Sequence, residues 1–268
     1  MQWIEIFGFI GAFFIGLIMG VLGGGGSILA VPILAYIFHL DEKIATAYSL
    51  CIVGSTGLVG GIKQTINKMV DWKAVLIFGA PAVVGITLTR AFIIPALPEI
   101  LFKIGDFEFT RRMGMFGLFA ALMILAAFSM LSDKQNKKIR TRSKGSFHPL
   151  MLSEGFFIGA LTGLVGAGGG FLIVPALMVI AQLDMKKASA TSLVIIAINS
   201  LTGFFLGDAT KIVIDWNFLS VFVGVAMIGI IIGTYINHYL PVKLLKKIFA
   251  YFIIVMAIFI FIEEFIIG

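Results

Sequence analysis

The chain has 268 residues, of which 60% are hydrophobic and only 13% are charged. A soluble domain carries about a quarter charged residues, so this composition excludes a water-soluble globule and makes lipid the natural solvent. The net charge of +6 would suit nucleic acid in a soluble protein. Here the basic residues sit in short loops between apolar runs, where the orientation rule for membrane proteins accounts for them and no nucleic-acid partner is needed.

The first apolar run covers 3–22. Glu5 stands where a basic leader region would be, and the apolar stretch continues into a second segment. The run therefore reads as a first membrane segment and not as a cleaved signal. Nine more runs follow at 28–39, 44–62, 74–97, 113–131, 151–165, 171–183, 188–206, 216–236 and 244–262. Most have the length of a membrane-spanning helix, but 28–39 and 171–183 are too short to cross. Each short run directly follows a glycine cluster, Gly23 to Gly26 in one case and Gly166 to Gly170, interrupted by Ala167, in the other.

If ten segments alternate from an outside start, fourteen Lys and Arg fall in inner loops and five in outer loops, with Arg90 inside a segment. That bias favours both termini outside and the basic linker 132–149 in the cytoplasm. The linker divides the chain into 1–131 and 150–268, each with five segments. An odd number per half makes the halves point in opposite directions. The expected fold is an all-α polytopic membrane protein of two inverted-topology repeats, each with a Gly-broken half-helix.

The repeat is legible residue by residue. Shifting 16–50 by 143 positions onto 159–193 gives 17 identities in 35 positions, among them Gly23/Gly166, Gly25/Gly168, Gly26/Gly169, Pro32/Pro175, Asp41/Asp184 and Ser49/Ser192. Asp71-Trp72 then matches Asp215-Trp216. The doubled "GxxGGGG…VP" pattern, followed by "ATAYSL" and "ASATSL", resembles the sulfite exporter TauE/SafE family. That resemblance covers essentially the whole chain. It implies a bacterial membrane permease whose substrate is a small sulfur-containing oxyanion such as sulfite or an organosulfonate.

Glycine disfavours a helix interior by about 1 kcal/mol per residue relative to Ala. The preceding helix should therefore end at each cluster, with new helices starting near Ser27 and Phe171. Unpaired backbone groups cannot face lipid, so the breaks belong inside the protein or beside a wet cavity. If each half-length helix runs back to its own side, the two tips approach each other near the bilayer centre, where such transporters hold substrate. Helix starts offer free N–H groups and partial positive charge, which suit an oxyanion. The candidate substrate-binding set is Gly23, Gly24, Gly25, Gly26, Ser27, Gly166, Gly168, Gly169 and Gly170, with side chains from the next segment: Ser49, Thr56, Ser192 and Asn199. Tight helix packing is the competing account, and it is preferred for the isolated Gly16, Gly20, Gly159 and Gly163.

At 100° per residue Thr46, Ser49 and Thr56 share one helix face, as do Ser189, Ser192 and Asn199. Hydrogen bonding between helices would also explain them. Arg90, in "ITLTRAFIIPALP", either belongs to an anion path or snorkels to the surface. Lys63 is read as snorkelling. Asp41, Asp184, Asp71 and Asp215 are read as helix caps, and no buried carboxylate fit for a proton relay is seen. Cys51 is a packing residue, and its being the one cysteine excludes an internal disulfide. The three histidines lack metal-ligand spacing, so neither metal nor cofactor is expected. The glycine clusters fit neither GxxxxGK[ST] nor GxGxxG. No clustered nucleophile or acid–base pair supports an enzyme. The remaining choice is an alternating-access transporter or a passive anion channel, with lipid and a small anion as partners.

Overall fold

The computed structural model describes residues 2–104, 107–131, 149–166 and 168–267. Most of the expected linker therefore lies outside the described residues. The fold is all-α, as a chain of apolar runs dissolved in lipid requires, because a helix satisfies every backbone group within its own segment. Among the described residues, seven helical stretches are long and apolar enough to cross a membrane. Large apolar side chains such as Phe7, Phe14, Ile62, Leu76, Phe128, Ile228 and Val255 point outward. A water-soluble protein would bury most of these. Here they form the surface that meets lipid.

In chain order the elements are α1 (Gln2–Leu22), a 3₁₀ turn (Gly23–Leu29), α2 (30–37), α3 (Glu42–Ile66) and α4 (Trp72–Ala96). A β-hairpin follows, with β1 (Ile100–Ile104) antiparallel to β2 (Phe107–Thr110), and then α5 (Arg111–Leu131). The second half holds α6 (Pro149–Val165), α7 (Gly170–Val179), α8 (Met185–Asp208), α9 (Trp216–Tyr239) and α10 (Val242–Ile262). All ten expected segments are helical. The hairpin was not expected. Its alternating "ILFKI" and "FEFT" are too short to register among apolar runs, and the Phe102 and Phe109 rings stack across it at 4.6 Å.

Phe7–Ile37 is long enough to cross as one run, but the chain doubles back within it. Phe9 and Phe38 have ring centroids 6.4 Å apart. A continuous helix would hold them about 43 Å apart. Gly26 lies against the backbone of Ile15 and Met19. So α2 is a half-length helix returning along α1. The return begins at Gly23, whose φ of +75° only glycine adopts cheaply. It ends at His39, also left-handed, where the Leu40 N–H donates to the Leu34 carbonyl at 3.2 Å. The second hairpin repeats these features 143 residues later. Gly166 has φ +73°, Gln182 is left-handed, and the Leu183 N–H donates to the Leu177 carbonyl at 3.2 Å.

The two breaks differ in detail from expectation. Gly23 to Gly26 do not unwind fully. They form a tight 3₁₀ turn, and the α-helix resumes at Ala30 and not near Ser27. In the second break Gly166, Gly168 and Gly169 all take left-handed φ, and α7 starts at Gly170, one residue before the expected Phe171.

Packing between the halves is interleaved. α1 packs along α9, α6 along α4, α3 along α8 and α5 along α10. Small residues set these close approaches. Gly16 and Gly20 meet the backbone of Ala226, Ile230 and Thr234, while Gly159 and Gly163 meet Ala82, Ile86 and Thr89. The packing account of these four glycines holds. The caps hold as well. Asp41 accepts from Lys43 N–H, Asp184 from Lys187 N–H, Asp71 from Ala74 N–H, and Asp215 from Asn217 and Phe218 N–H. Each half also ties the other half's cap. The Tyr48 hydroxyl accepts from Asp215 N–H at 2.7 Å, and its counterpart Thr191 accepts from Asp71 N–H at 3.0 Å.

Candidate functional site

The two glycine breaks meet inside the molecule. A Cβ on Gly24 would strike the backbone of Gly170, and one on Gly170 would strike Gly24. Only two glycines permit this approach, so both hairpin tips are held at one buried point. Gly23 to Gly26, Ser27, Gly166 and Gly168 to Gly170 are all buried. Ser49, Thr56, Ser192 and Asn199 are buried too, at 1% exposure or less. The faces assigned from helical periodicity therefore do point inward.

Not every candidate turns to the same place. The Gly24 N–H donates to Ser192 Oγ at 3.3 Å, and Ser192 donates to the Ser189 carbonyl at 2.8 Å. Ser27 donates its hydroxyl to the Gly24 carbonyl at 2.7 Å. The Gly24 amide is thus engaged by a side chain in this conformation, where the sequence suggested a bare N–H. Gly23 abuts Ser189. Gly25 faces the ring of Phe249 on α10, Gly26 packs into α1, and Gly169 packs on Thr162. Those three serve close packing.

The second break has a different neighbourhood. Gly166 sits against Thr46 and the Nη2 of Arg90, and Gly168 sits against Val53 and Ser200 Oγ. Arg90 is 1% exposed, so it does not snorkel. Its Nη1 donates to Asp208 Oδ2 at 3.0 Å and to Thr46 Oγ1 at 3.2 Å. Its Nε and Nη2 have no hydrogen-bond partner among the described residues. The same holds for Ser49 Oγ, Thr56 Oγ1, Thr89 Oγ1, Ser200 Oγ and both amide atoms of Asn199. Buried polar groups are ordinarily paired, and leaving one unpaired is costly. So many unpaired donors and acceptors within a few helical turns of the breaks mark a polar interior suited to a hydrated or anionic ligand.

Sequence reasoning missed Asp208, Ser200 and Glu264. Asp208 lay two residues beyond the expected end of its segment, but the helix continues through a π-helical turn, Gly203–Asp208, that carries it inward. Glu264 likewise lay past its segment, yet it is 5% exposed, with Arg112 Nε at 2.9 Å and Tyr36 donating at 3.2 Å. Asp208 and Glu264 are thus buried carboxylates that the sequence reading did not place, each paired with an arginine. The signal was present in the sequence: Arg90 and Asp208 stand near the C-terminal ends of the fourth and eighth segments. Lys63, half-buried, donates to the Ile231 carbonyl at 3.1 Å. Cys51 is buried, as expected of a packing residue.

A family model described as "Sulfite exporter TauE/SafE" matches residues 8–260. A "Probable membrane transporter protein" of Xylella fastidiosa is 27% identical over 251 residues, covering 92% of this chain and 90% of its own length. "Probable membrane transporter protein YunE" of Bacillus subtilis is 28% identical over 257 residues, covering 87% and 90% respectively. A protein of the same description from Haemophilus influenzae is 26% identical over 267 residues, covering 92% and 94%. No solved structure gives a significant match.

Proposed function

The chain belongs to the TauE/SafE sulfite exporter family and is a multi-pass membrane transporter; on that premise we propose that it moves a small sulfur oxyanion, such as sulfite or an organosulfonate, by alternating access across a bacterial cytoplasmic membrane. The reading rests above all on one observation: two glycine hairpins meet backbone to backbone at a buried point, with a buried guanidinium beside one of them.

The two halves would insert with opposite polarity, with both termini outside and the basic linker in the cytoplasm. The substrate would lie between the breaks, against Arg90, with Ser49, Thr56, Ser192 and Asn199 supplying neutral contacts. A tetrahedral or pyramidal oxyanion needs several donors at short range, and a fixed guanidinium with nearby hydroxyls and amides provides them. The direct contact of Gly24 with Gly170 favours a carrier over an open channel, because a permanent pore needs a continuous bore.

The test is transport in proteoliposomes with radiolabelled sulfite and sulfonates. Saturable flux that accelerates under counterflow is expected. Large ohmic currents would assign a channel instead, and no flux with any small anion would end the anion reading.

A further inference from the structure

We propose that Asp208 is a resident occupant of the anion site on Arg90, exchanged for the transported oxyanion during each cycle, so that carboxylate and cargo neutralise the same guanidinium in turn. The inference rests on the transporter reading and goes beyond it by naming the group that competes with substrate.

The geometry of the pair carries it. Arg90 is almost fully buried, and its one strong partner, Asp208, engages only Nη1. A guanidinium and an oxyanion pair best through two parallel N–H···O bonds. The edge that would make such a fork, Nε and Nη2, has no partner among the described residues. Nη2 packs against Gly166, so closely that a Cβ there would strike it and Thr46, and only a glycine lets the guanidinium reach the hairpin tip. The stem is held firmly, because Gly207 presses on Arg90 Cβ. The guanidinium is thus fixed beside the hairpin tip while three of its five N–H donors, on Nε and Nη2, have no partner among the described residues.

The rest of the fold does not require this ion pair. Under the internal repeat the counterpart of Arg90 is Thr234, which bonds its own helix at the Ile231 carbonyl, 3.0 Å away. There Gly20 meets Thr234 and Gly23 meets Ser189, the same packing as around Gly163 and Gly166, without a charge. A pair needed only to hold the helices together would be needed in both places. The charges occur once, on the side of the breaks where a guanidinium reaches a left-handed glycine.

Both partners also sit on irregular helix. Arg90 lies in the π-helical turn Thr89–Ile93, and Asp208 ends the π-helical turn Gly203–Asp208. Tightening such a turn to α geometry rotates the residues beyond it, so a modest local change re-aims Asp208 without unfolding either helix. Lys211 Nζ, already bonded to the Arg90 and Ala91 carbonyls at 3.3 Å, lies one turn beyond Asp208 and offers the displaced carboxylate another cation.

The experiment uses the full chain in proteoliposomes with radiolabelled sulfite, plus thermal unfolding in detergent with and without sulfite. The variants are Asp208→Asn, Arg90→Gln and the double variant. Asn still accepts a hydrogen bond from Nη1 but carries no competing charge. Asp208→Asn should lower the half-saturation concentration about tenfold, as expected for removing one charged competitor. It should also lower the maximal rate, because release loses its displacing group. Arg90→Gln should lose transport and sulfite protection, and the double variant should regain folded yield without transport. If wild-type flux is normal and Asp208→Asn leaves both constants unchanged, or if the double variant transports normally, the exchange is wrong and the transporter reading stands. If wild type shows no flux but sulfite still protects Asp208→Asn more than wild type, the competition of Asp208 with the anion for Arg90 stands and the sulfite-transport reading falls. If neither flux nor protection occurs in any form, both fall.

Discussion

Ser49 and Ser192 occupy matching positions, yet their hydroxyls do different things. Ser192 bridges Gly24 N–H and the Ser189 carbonyl, while Ser49 has no partner among the described residues. Replacing a buried group that others depend on leaves them unsatisfied, so Ser192→Ala should destabilise the protein by about 1–3 kcal/mol. That loss would appear as a lower melting temperature in detergent. Ser49→Ala strands no partner. It should leave melting unchanged but raise the half-saturation constant for sulfite severalfold, and an unchanged constant would remove Ser49 from the site. The inward face that carries both residues was legible from 100° periodicity alone. Their difference was not, because it depends on which backbone amide happens to lie opposite. Asp208 was missed for a related reason: a segment's end was read from hydropathy, and a π-helical turn carried the helix further.

Helices carry the second kind of prediction. α1 approaches α9 closely only because Gly16 and Gly20 place hydrogen where any side chain would meet the backbone of Ala226 or Thr234. Gly16→Leu should therefore sharply reduce the yield of monodisperse protein on size-exclusion chromatography, as should Gly159→Leu at the α6–α4 crossing. Gly224 is the control, since nothing lies within 4 Å of where its Cβ would be, and Gly224→Leu should purify normally. The cross-half ties are a gentler probe. Tyr48→Phe removes one acceptor from the Asp215 amide and should cost about 1 kcal/mol, measurable as a small drop in melting temperature. At this scale the sequence revealed where the helices break, because a run of glycines is a local instruction. It did not reveal the 3₁₀ form of the first break, within which Ser27 reaches back to the Gly24 carbonyl.

Across the whole molecule, the halves of the sequence do not form separate lobes. α1 belongs with α9 and α4 with α6, so any alternating motion must move mixed bundles and not one half against the other. Two further ion pairs join Arg111 to Glu42, both largely buried, and the more exposed Arg112 to buried Glu264. The proposed opposite insertion of the halves makes a direct prediction. A single cysteine in place of exposed Lys103 should react with a membrane-impermeant maleimide in intact cells, and one in place of exposed Lys243 should react only after permeabilisation. Equal labelling of both from outside would overturn the ten-segment topology. The sequence by itself determined the solvent, the ten segments, the two breaks, the caps and the family, because each of these is written in local composition or in a repeat within the chain. Only the tertiary structure decided that Gly24 rests on Gly170, that Arg90 is paired with Asp208, and that the repeats interlock. Those facts join residues more than a hundred positions apart, and local patterns of apolarity and glycine are blind to contacts made through packing.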